Sequence, residues 1–367
     1  MNTTQRRRPR LRDLGIAIGT MAPGPLNAIT DVPGVRVGHT TVIEGDSVRT
    51  GVTAIHPHEG SAFHHHVPAA IDVLNGAGEI TGRALVDEYG VLGSPILITN
   101  TLSVGEVHRG CVDWLVRQDP SIGPRHWVAP VVAETYDGYL NDCAGQHVTR
   151  QHVHAALDGA TDGPVAEGCV GGGTGMILFG LKGGIGTSSR MVSVGGSAHG
   201  LGVLVQGNCG ALADLRVDGV PVGRMLTGVC SARERREQSD GERDGSIIVV
   251  IATDAPLSDR QLGRLCRRGM LGLGRVGSTA HHGSGDLLLA FSNAPENRVA
   301  LESDDLLQRH TQLRDTAIND LFQATVEATE EAVLNAMVAA DSMTGRDGHT
   351  VQALPHDQLV EIMRGRS

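Results

Sequence analysis

The stretch "ERDGSIIVVIATDAP", from Glu242 to Pro256, joins a charged segment to an apolar one. Five β-branched residues follow Ser246 directly, and this run predicts a buried strand from Ser246 to Ile251. Residues 231–245 carry no aliphatic side chain after Ala232, which predicts a solvated linker. A small hydroxyl residue therefore lies where the linker meets a rigid strand.

The composition bounds the class of protein. The chain has 367 residues, enough for one large domain or two ordinary ones, and its net charge of −10 does not favour a nucleic-acid partner. The basic cluster Arg6–Arg12 is typical of a disordered tail. We do not expect it to begin a signal peptide, because the apolar stretch after it is too short. No apolar run approaches the roughly 18 residues of a membrane span. Six widely spaced cysteines without a C-x-x-C pair predict reduced thiols and a cytoplasmic protein.

Strands and helices are mixed along the chain, which favours a layered α+β fold over a regular βαβ array. The pattern predicts a hairpin in "MVSVGG" and "HGLGVLVQGN", and a helix capped by Ser258. The predicted helices cover Glu79–Tyr89, Val104–Arg117, 259–268 and about 304–340, and the predicted strands include Pro95–Asn100, Val128–Ala133, Ser246–Ile251 and Asp286–Phe291.

Two patterns that suggest a bound group are weak. "GCVGGGTGMILFG", from Gly168 to Gly180, contains G-x-G but lacks the following helix and the P-loop lysine of a nucleotide site. The runs His64–His66 and His281–His282 have no further ligand at metal-binding spacing, and neighbouring strand residues point to opposite faces. We therefore predict no cofactor and no metal.

Three polar clusters flank short apolar strands, as the residues of a polar site do. They are "NGAGEITG" (Asn75–Gly82), "ETYDGYLND" (Glu134–Asp142) and "HHGSGDLLLAFSN" (His281–Asn293). In the third, Ser284 and Asp286 are two apart and share one face of the predicted strand. Each cluster alone is also compatible with an ordinary turn.

The dipeptide Gly245-Ser246 admits a second interpretation besides a loop ending at a strand. If its peptide bond were cut, Ser246 would gain an α-amino group with a pKa of about 7.7–8.0 beside its own hydroxyl. Such an amine is able to act as the general base for that hydroxyl near neutral pH. Glycine before the bond leaves the carbonyl uncrowded.

The chain resembles the L-aminopeptidase/D-esterase (DmpA-type) family, which includes the β-aminopeptidases and is related in fold to the ornithine acetyltransferases. The resemblance extends from about Leu11 to Pro355 and rests on "GPLNAITDVPGVRVGHTT", "NGAGEITG", "DGYLND", "EGCVGGGTGM", "KGGIGTSSR", "VLVQGNCG", "DGSIIVVIATDAPL" and "GSGDLLLAFS". It implies an αββα four-layer sandwich in one domain that cuts itself between Gly245 and Ser246. The fragments, 1–245 and 246–367, would stay together, and the family suggests a tetramer of cut protomers.

The resemblance also implies roles for individual residues. Ser246 would be the nucleophile and its new amine the base, while Asn208 would stabilise the oxyanion and Tyr139 would lie near the acyl oxygen. Ser284 and Asp286 would position the amine, although Asp286 is one methylene shorter than the glutamate of the familiar form.

The implied activity is hydrolysis, without metal or cofactor, of the bond after the N-terminal residue of short peptides, amides or esters. Glu134 would bind the free amino group of the substrate. Two alternatives stay open: an acyltransferase of the ornithine acetyltransferase type, which typically uses threonine as the new N-terminus, and a non-catalytic binding protein of the same fold. The sequence does not decide among L-, D- and β-amino-acid substrates.

Overall fold

The structure is a computed structural model that describes residues 8–229 and 245–365, so the linker predicted at 231–245 lies outside the described residues except for Gly245, which is the first residue of a strand. Two β-sheets stack face to face, and helices cover the outer face of each sheet. The layers therefore follow the order helix, sheet, sheet, helix, which confirms the predicted α+β sandwich.

The larger sheet has seven strands in the order β13-β3-β12-β11-β10-β9, with β4 paired to β3. Its central strands β11 and β12 run parallel, while β10 and β3 pair with them antiparallel. The strands are β3 (His65–Gly76), β4 (Val91–Leu92), β9 (Ile185–Val194), β10 (Ser197–Asn208), β11 (Gly245–Thr253), β12 (Ser284–Ser292) and β13 (Val299–Ala300).

The smaller sheet has four strands in the order β1-β2-β5-β6. Strands β5 and β6 are parallel, and all ten of their residues are buried, as expected for strands covered on both faces. The strands are β1 (Arg36–Glu44), β2 (Val48–His56), β5 (Ile96–Asn100) and β6 (Val131–Thr135).

The alternation of side chains along β11 explains why the sheets stack. Ile248 and Val250 pack between the two sheets, whereas Ile247, Val249 and Ile251 pack against the outer helices. The apolar run predicted from the sequence is therefore buried on both faces. It fixes β11 in the middle of the larger sheet.

The outer layers are two pairs of helices. Helices α5 (Asp259–Arg275) and α6 (Asn319–Val338) pack on the larger sheet, while α2 (Val104–Gln118) and α3 (Arg150–Asp158) pack on the smaller one. The shorter elements are α1 (Arg83–Tyr89), α4 (Val222–Met225), α7 (His356–Arg364), β7 (Ile177–Leu178), β8 (Leu181–Lys182), β14 (Met343–Thr344) and β15 (Thr350–Val351).

Two helix predictions were too long. The helix predicted for about 304–340 begins only at Asn319, because the charged segment before it has no apolar face to bury: Leu306 is 99% exposed. The helix predicted from Glu79 begins at Arg83, since Gly82 has a left-handed φ of 74° and Ile80 bridges to β6. The hairpin of β9 and β10 is confirmed. Within 8–229 and 245–365, no helix is long and apolar enough to cross a membrane.

Candidate active site

Ser246 is the second residue of β11, and strands pair with it on both sides. Asn208, the last residue of β10, lies opposite it on one side, and Gly285 of β12 lies opposite it on the other. Its position in the alternation turns its side chain toward the space between the sheets, as for Ile248. Because Ser246 is only 4% exposed and begins a central strand, its hydroxyl is held in a fixed position.

The Ser246 hydroxyl meets the smaller sheet at the end of β6. The backbone N–H of Tyr136, the residue after β6, donates to Ser246 Oγ at 3.4 Å. The candidate site therefore lies where β6 ends and β11 begins, between the two sheets. The sequence did not indicate this N–H, because a backbone group carries no residue-type signal.

The side-chain amide of Asn208 is fixed at both ends. Its Oδ1 accepts from the Ile177 N–H at 2.8 Å, and its Nδ2 donates to the Tyr136 carbonyl at 2.8 Å. An amide nitrogen carries two hydrogens, so one donor of Nδ2 remains for a further acceptor. The arrangement therefore holds an oriented N–H donor beside the strand position of Ser246.

Ser284 and Asp286 form a hydrogen-bonded pair at the start of β12. Ser284 Oγ donates to Asp286 Oδ1 at 3.0 Å, which confirms that the two side chains share a face. The register places Ser284 opposite Gly245 and Asp286 opposite Ile247, so the pair lies on the helix side of the sheet, beside the Gly245-Ser246 backbone. This is the opposite face from the Ser246 side chain.

The Asp286 carboxyl lies in a poor environment for a charge. Burial raises its pKa to about 6, although the hydrogen bond from Ser284 acts in the opposite direction. Its second oxygen, Oδ2, is buried and has no hydrogen-bond partner in the described part of the chain. A carboxyl with one unused oxygen and a pKa near neutrality is suited to holding or releasing a proton.

The loop after β3, in the cluster Asn75–Gly82, packs directly on the start of β12. Asn75 Nδ2 donates to the carbonyls of His281 at 3.1 Å and His282 at 3.0 Å. A Cβ at Gly285 would lie 2.6 Å from the Ala77 carbonyl, so this contact requires glycine beside Ser246. Two of the three predicted polar clusters therefore meet here.

Glu134 lies near this contact but is buried. Its Oε1 accepts from the Glu79 N–H at 3.0 Å and its Oε2 accepts from the Thr101 hydroxyl. A Cβ at Gly78 would lie 3.2 Å from both Glu134 Oε1 and Gly285 Cα. Gly78 therefore lies between the Glu134 carboxylate and Gly285, the residue that pairs with Ser246. Burial raises the pKa of Glu134, although the bonds from Thr101 and Glu79 lower it.

Tyr139 lies in the segment that follows β6, against the C-terminal part of the chain. Its ring stacks on His349 with centroids 4.3 Å apart, and its carbonyl bonds His349 Nδ1 at 2.9 Å. The ring is largely buried in a small cluster with Leu140 and Val351. Its predicted place near the acyl oxygen stays a prediction.

Two stacked sheets between outer layers of helices, with a buried serine at the start of a central strand, are the arrangement of an N-terminal-nucleophile-type hydrolase fold. The chain superposes with a TM-score of 0.91 on the structure of the L-aminopeptidase D-Ala-esterase/amidase from Ochrobactrum anthropi, described as a variant of that fold. The two are 42% identical, and the match covers 98% of this chain and 99% of the other.

Residues 27–351 match the model of peptidase family S58, so the chain belongs to this family and is a serine aminopeptidase/amidase. It is 48% identical to the β-peptidyl aminopeptidase BapA of Sphingosinicella xenopeptidilytica, over 98% of this chain and 92% of the relative. A β-aminopeptidase structure from Burkholderia sp. is 44% identical, with a TM-score of 0.89 over 97% of this chain and 99% of that one. The family and fold predicted from the sequence motifs are confirmed.

Proposed function

We propose that the chain cuts itself between Gly245 and Ser246, and that the new N-terminal serine removes N-terminal β-amino-acid residues from short peptides and amides. The observation that carries the proposal is the position of Ser246. It is the second residue of a central strand, and residues 231–245, whose composition predicts a linker, come directly before it. The fragments 1–245 and 246–367 remain in one fold because strands from both complete the larger sheet.

The first chemical step is attack on the substrate carbonyl. Ser246 Oγ forms the new C–O bond while its proton passes to the Ser246 α-amine, whose pKa of about 7.7–8.0 leaves it partly neutral at pH 7. The remaining Nδ2 donor of Asn208 binds the oxyanion. A donor of this kind lowers the barrier by about 3 kcal/mol in comparable hydrolases.

The second step releases the amino acid. The amine returns its proton to the leaving nitrogen, and an acyl group stays on Ser246 Oγ until water attacks it with help from the same amine. The pair Ser284–Asp286 supports this cycle. Because the Ser284 hydroxyl donates its hydrogen bond to Asp286, the Ser284 oxygen is free to accept a hydrogen bond from the new α-amine beside it.

Glu134 provides the counter-charge for the amino group of the substrate. Its carboxylate faces the neighbour of Ser246 across Gly78. A β-amino acid places its amine one carbon further from the carbonyl than an α-amino acid does. The two β-aminopeptidases reported above support the choice of β-amino-acid substrates for this chain.

Two further properties belong to the same proposal. We expect a homotetramer of cut protomers and a cytoplasmic location. The described cysteines, Cys111, Cys143, Cys169, Cys209 and Cys266, are free, which supports the location.

The self-cleavage is tested with Ser246→Ala. A denaturing gel is expected to show two fragments for the wild type and one band of 38.5 kDa for the variant, with kcat lower by roughly 10⁶-fold. Ser292→Ala, at the other end of the neighbouring strand, is the matched control and should be cut normally. A fully cut, active Ser246→Ala protein contradicts the proposal.

The substrate class is tested with L-, D- and β-alanyl p-nitroanilides of the same leaving group. We expect the largest kcat/KM for the β-alanyl compound. A higher value for the L- or D-alanyl compound would overturn the β-amino-acid assignment and leave the nucleophile unaffected.

A further inference from the structure

The chain has 31 basic side chains, and only one of them, Lys182, is a lysine. It ends the short strand β8 and is fully buried, at 0% exposure. Burying an ammonium group is costly unless its hydrogens are bonded. A lysine in such a position needs an explanation that the reaction described above does not give.

The surroundings of Lys182 match a protonated amine. Its Nζ donates to the carbonyls of Met176 at 2.8 Å, Gly183 at 2.9 Å and Gly173 at 3.5 Å. An ammonium group has three donors and no acceptor, which suits a position bonded to three carbonyls and to the Cys169 thiol. The Cys169 thiol and the Asp137 carboxyl also act on the charge of Lys182, but the hydrogen bonds of its Nζ to carbonyl groups go to these three residues.

One of these carbonyls belongs to the peptide group that holds Asn208. The Met176 carbonyl and the Ile177 N–H are the two ends of a single peptide unit, and that N–H donates to Asn208 Oδ1 at 2.8 Å. The same carbonyl also accepts from the Gly183 N–H at 3.2 Å. An unbroken series of hydrogen bonds therefore runs from the ammonium to the Asn208 amide.

A tight hairpin keeps this series in place. Strands β7 and β8 pair Ile177 with Lys182 through a two-residue turn, in which Phe179 and Gly180 have φ of 50° and 73°. The Phe179 N–H donates to the carbonyl of Cys209, the residue after Asn208, at 2.7 Å. The hairpin is thus bonded to the end of β10.

We propose that Lys182 is a positioning residue for the reaction: its charge polarises the Met176–Ile177 peptide and so strengthens Asn208 as the donor to the oxyanion. This inference rests on the proposed role of Asn208. Hydrogen bonds in series strengthen one another, and a charge at the head of the series is weakly screened in a buried site.

The charge of Lys182 has a limited pH range. Burial lowers its pKa below that of an ordinary lysine, whereas the nearby Cys169 thiol and Asp137 carboxyl act to raise it. The Asp137 carboxyl is itself buried, with a pKa of about 6, and accepts from Cys143 Sγ at 2.8 Å. Wild-type kcat is therefore expected to fall at alkaline pH as Lys182 loses its proton.

The test is a double-mutant cycle with Lys182→Met and Asn208→Ala, in which kcat is measured per cut protomer and the cut fraction is read from a gel. Loss of Asn208 should lower kcat by roughly 10²–10³-fold. Lys182→Met alone should lower kcat by roughly 10–10²-fold with little change in KM and should remove the alkaline fall. In the Asn208→Ala background, Lys182→Met should have little further effect on kcat, since the two residues act in series.

The outcomes separate the two proposals. If Lys182→Met lowers kcat by the same factor in both backgrounds, Lys182 does not act through Asn208 and the inference fails, while the proposed function stands. If Asn208→Ala keeps wild-type kcat, the assignment of the oxyanion donor fails instead, and the inference falls with it. Thermal melting of each variant separates these effects from a loss of folding.

A measurement on the wild type covers the case in which Lys182→Met does not fold. Labelling all lysines with ¹⁵N gives one side-chain signal in the full-length enzyme, because the chain has a single lysine. The signal should show a protonated amine at the pH of maximal kcat and should titrate together with the alkaline fall. A neutral amine at that pH overturns the inference.

Discussion

Buried carboxylates lie at two places on the larger sheet, and the two places differ in the partners that these carboxylates have. On its outer face, the guanidinium of Arg190 contacts Glu327 at 3.1 Å and Glu331 at 2.8 Å. At the start of β12, Asp286 accepts a hydrogen bond from Ser284, and its other oxygen has no hydrogen-bond partner among the described residues. The carboxylates of the first group are paired with a cation, whereas the second group leaves one carboxyl oxygen unpaired.

The pKa values express the same contrast. Burial acts to raise the pKa of Glu331, but contacts with Arg12 and Arg190 outweigh it and lower that pKa. Burial raises the pKa of Asp286 to about 6, and the hydrogen bond from Ser284 offsets this effect only in part. A change in the first group should therefore act on stability, and a change in the second on activity and on the pH dependence of stability.

The largest expected effect is on the paired group. Arg190→Met leaves two buried carboxylates without their common partner and should lower the free energy of unfolding by about 3–5 kcal/mol, measured by urea denaturation. Arg260→Met is the control: it removes an exposed ion pair to Asp315 at 2.8 Å, and solvent screening should make its effect on the free energy of unfolding much smaller. Equal losses in the two variants would contradict the comparison.

Asp286→Asn should raise stability at neutral pH while it lowers activity. The pKa of the folded carboxyl lies above its unfolded value of about 3.9, so the contribution of this group to stability falls as pH rises from about 4 to about 6. An asparagine does not ionise, so the variant should exceed the wild type by up to about 3 kcal/mol at pH 7 and by little near pH 4. Urea denaturation at both pH values measures the difference. A wild type that gains stability relative to the variant on going from pH 4 to pH 7 would show the sign to be wrong.

Asp286→Glu should have the smallest effect. The longer side chain keeps the charge and is able to reach Ser284, and the family resemblance drawn from the sequence implies a glutamate at this place. We expect kcat to change by less than roughly tenfold, about 1.4 kcal/mol in the barrier. A loss as large as that of Asp286→Asn would show that the length of the side chain, rather than its charge, decides the role of this residue.

The sequence predicted those parts of the site that depend on residue type and period. The five β-branched residues after Ser246 predicted β11, and the spacing of Ser284 and Asp286 predicted their shared face. The family motifs, rather than any local pattern, pointed to Asn208. The sequence did not predict the N–H of Tyr136 or of Ile177, since backbone groups leave no trace in the residue pattern. Lys182 lies in a glycine-rich stretch of the sequence. Only the fold shows that it contacts the Met176–Ile177 peptide, which is bonded to the Asn208 side chain.

The order of strands in the larger sheet determines how reversibly the protein would unfold after the proposed cut. Strands β11, β12 and β13 come from the fragment after the proposed cut, and β12 pairs with β3 while β11 pairs with β10, both from the fragment before it. Each fragment alone would expose unpaired strand edges and half of a core. After such a cut, no peptide bond holds the two fragments together during a transient opening. The uncut precursor would therefore be able to refold after unfolding, whereas the cut protein would lose its fold irreversibly if the fragments separated.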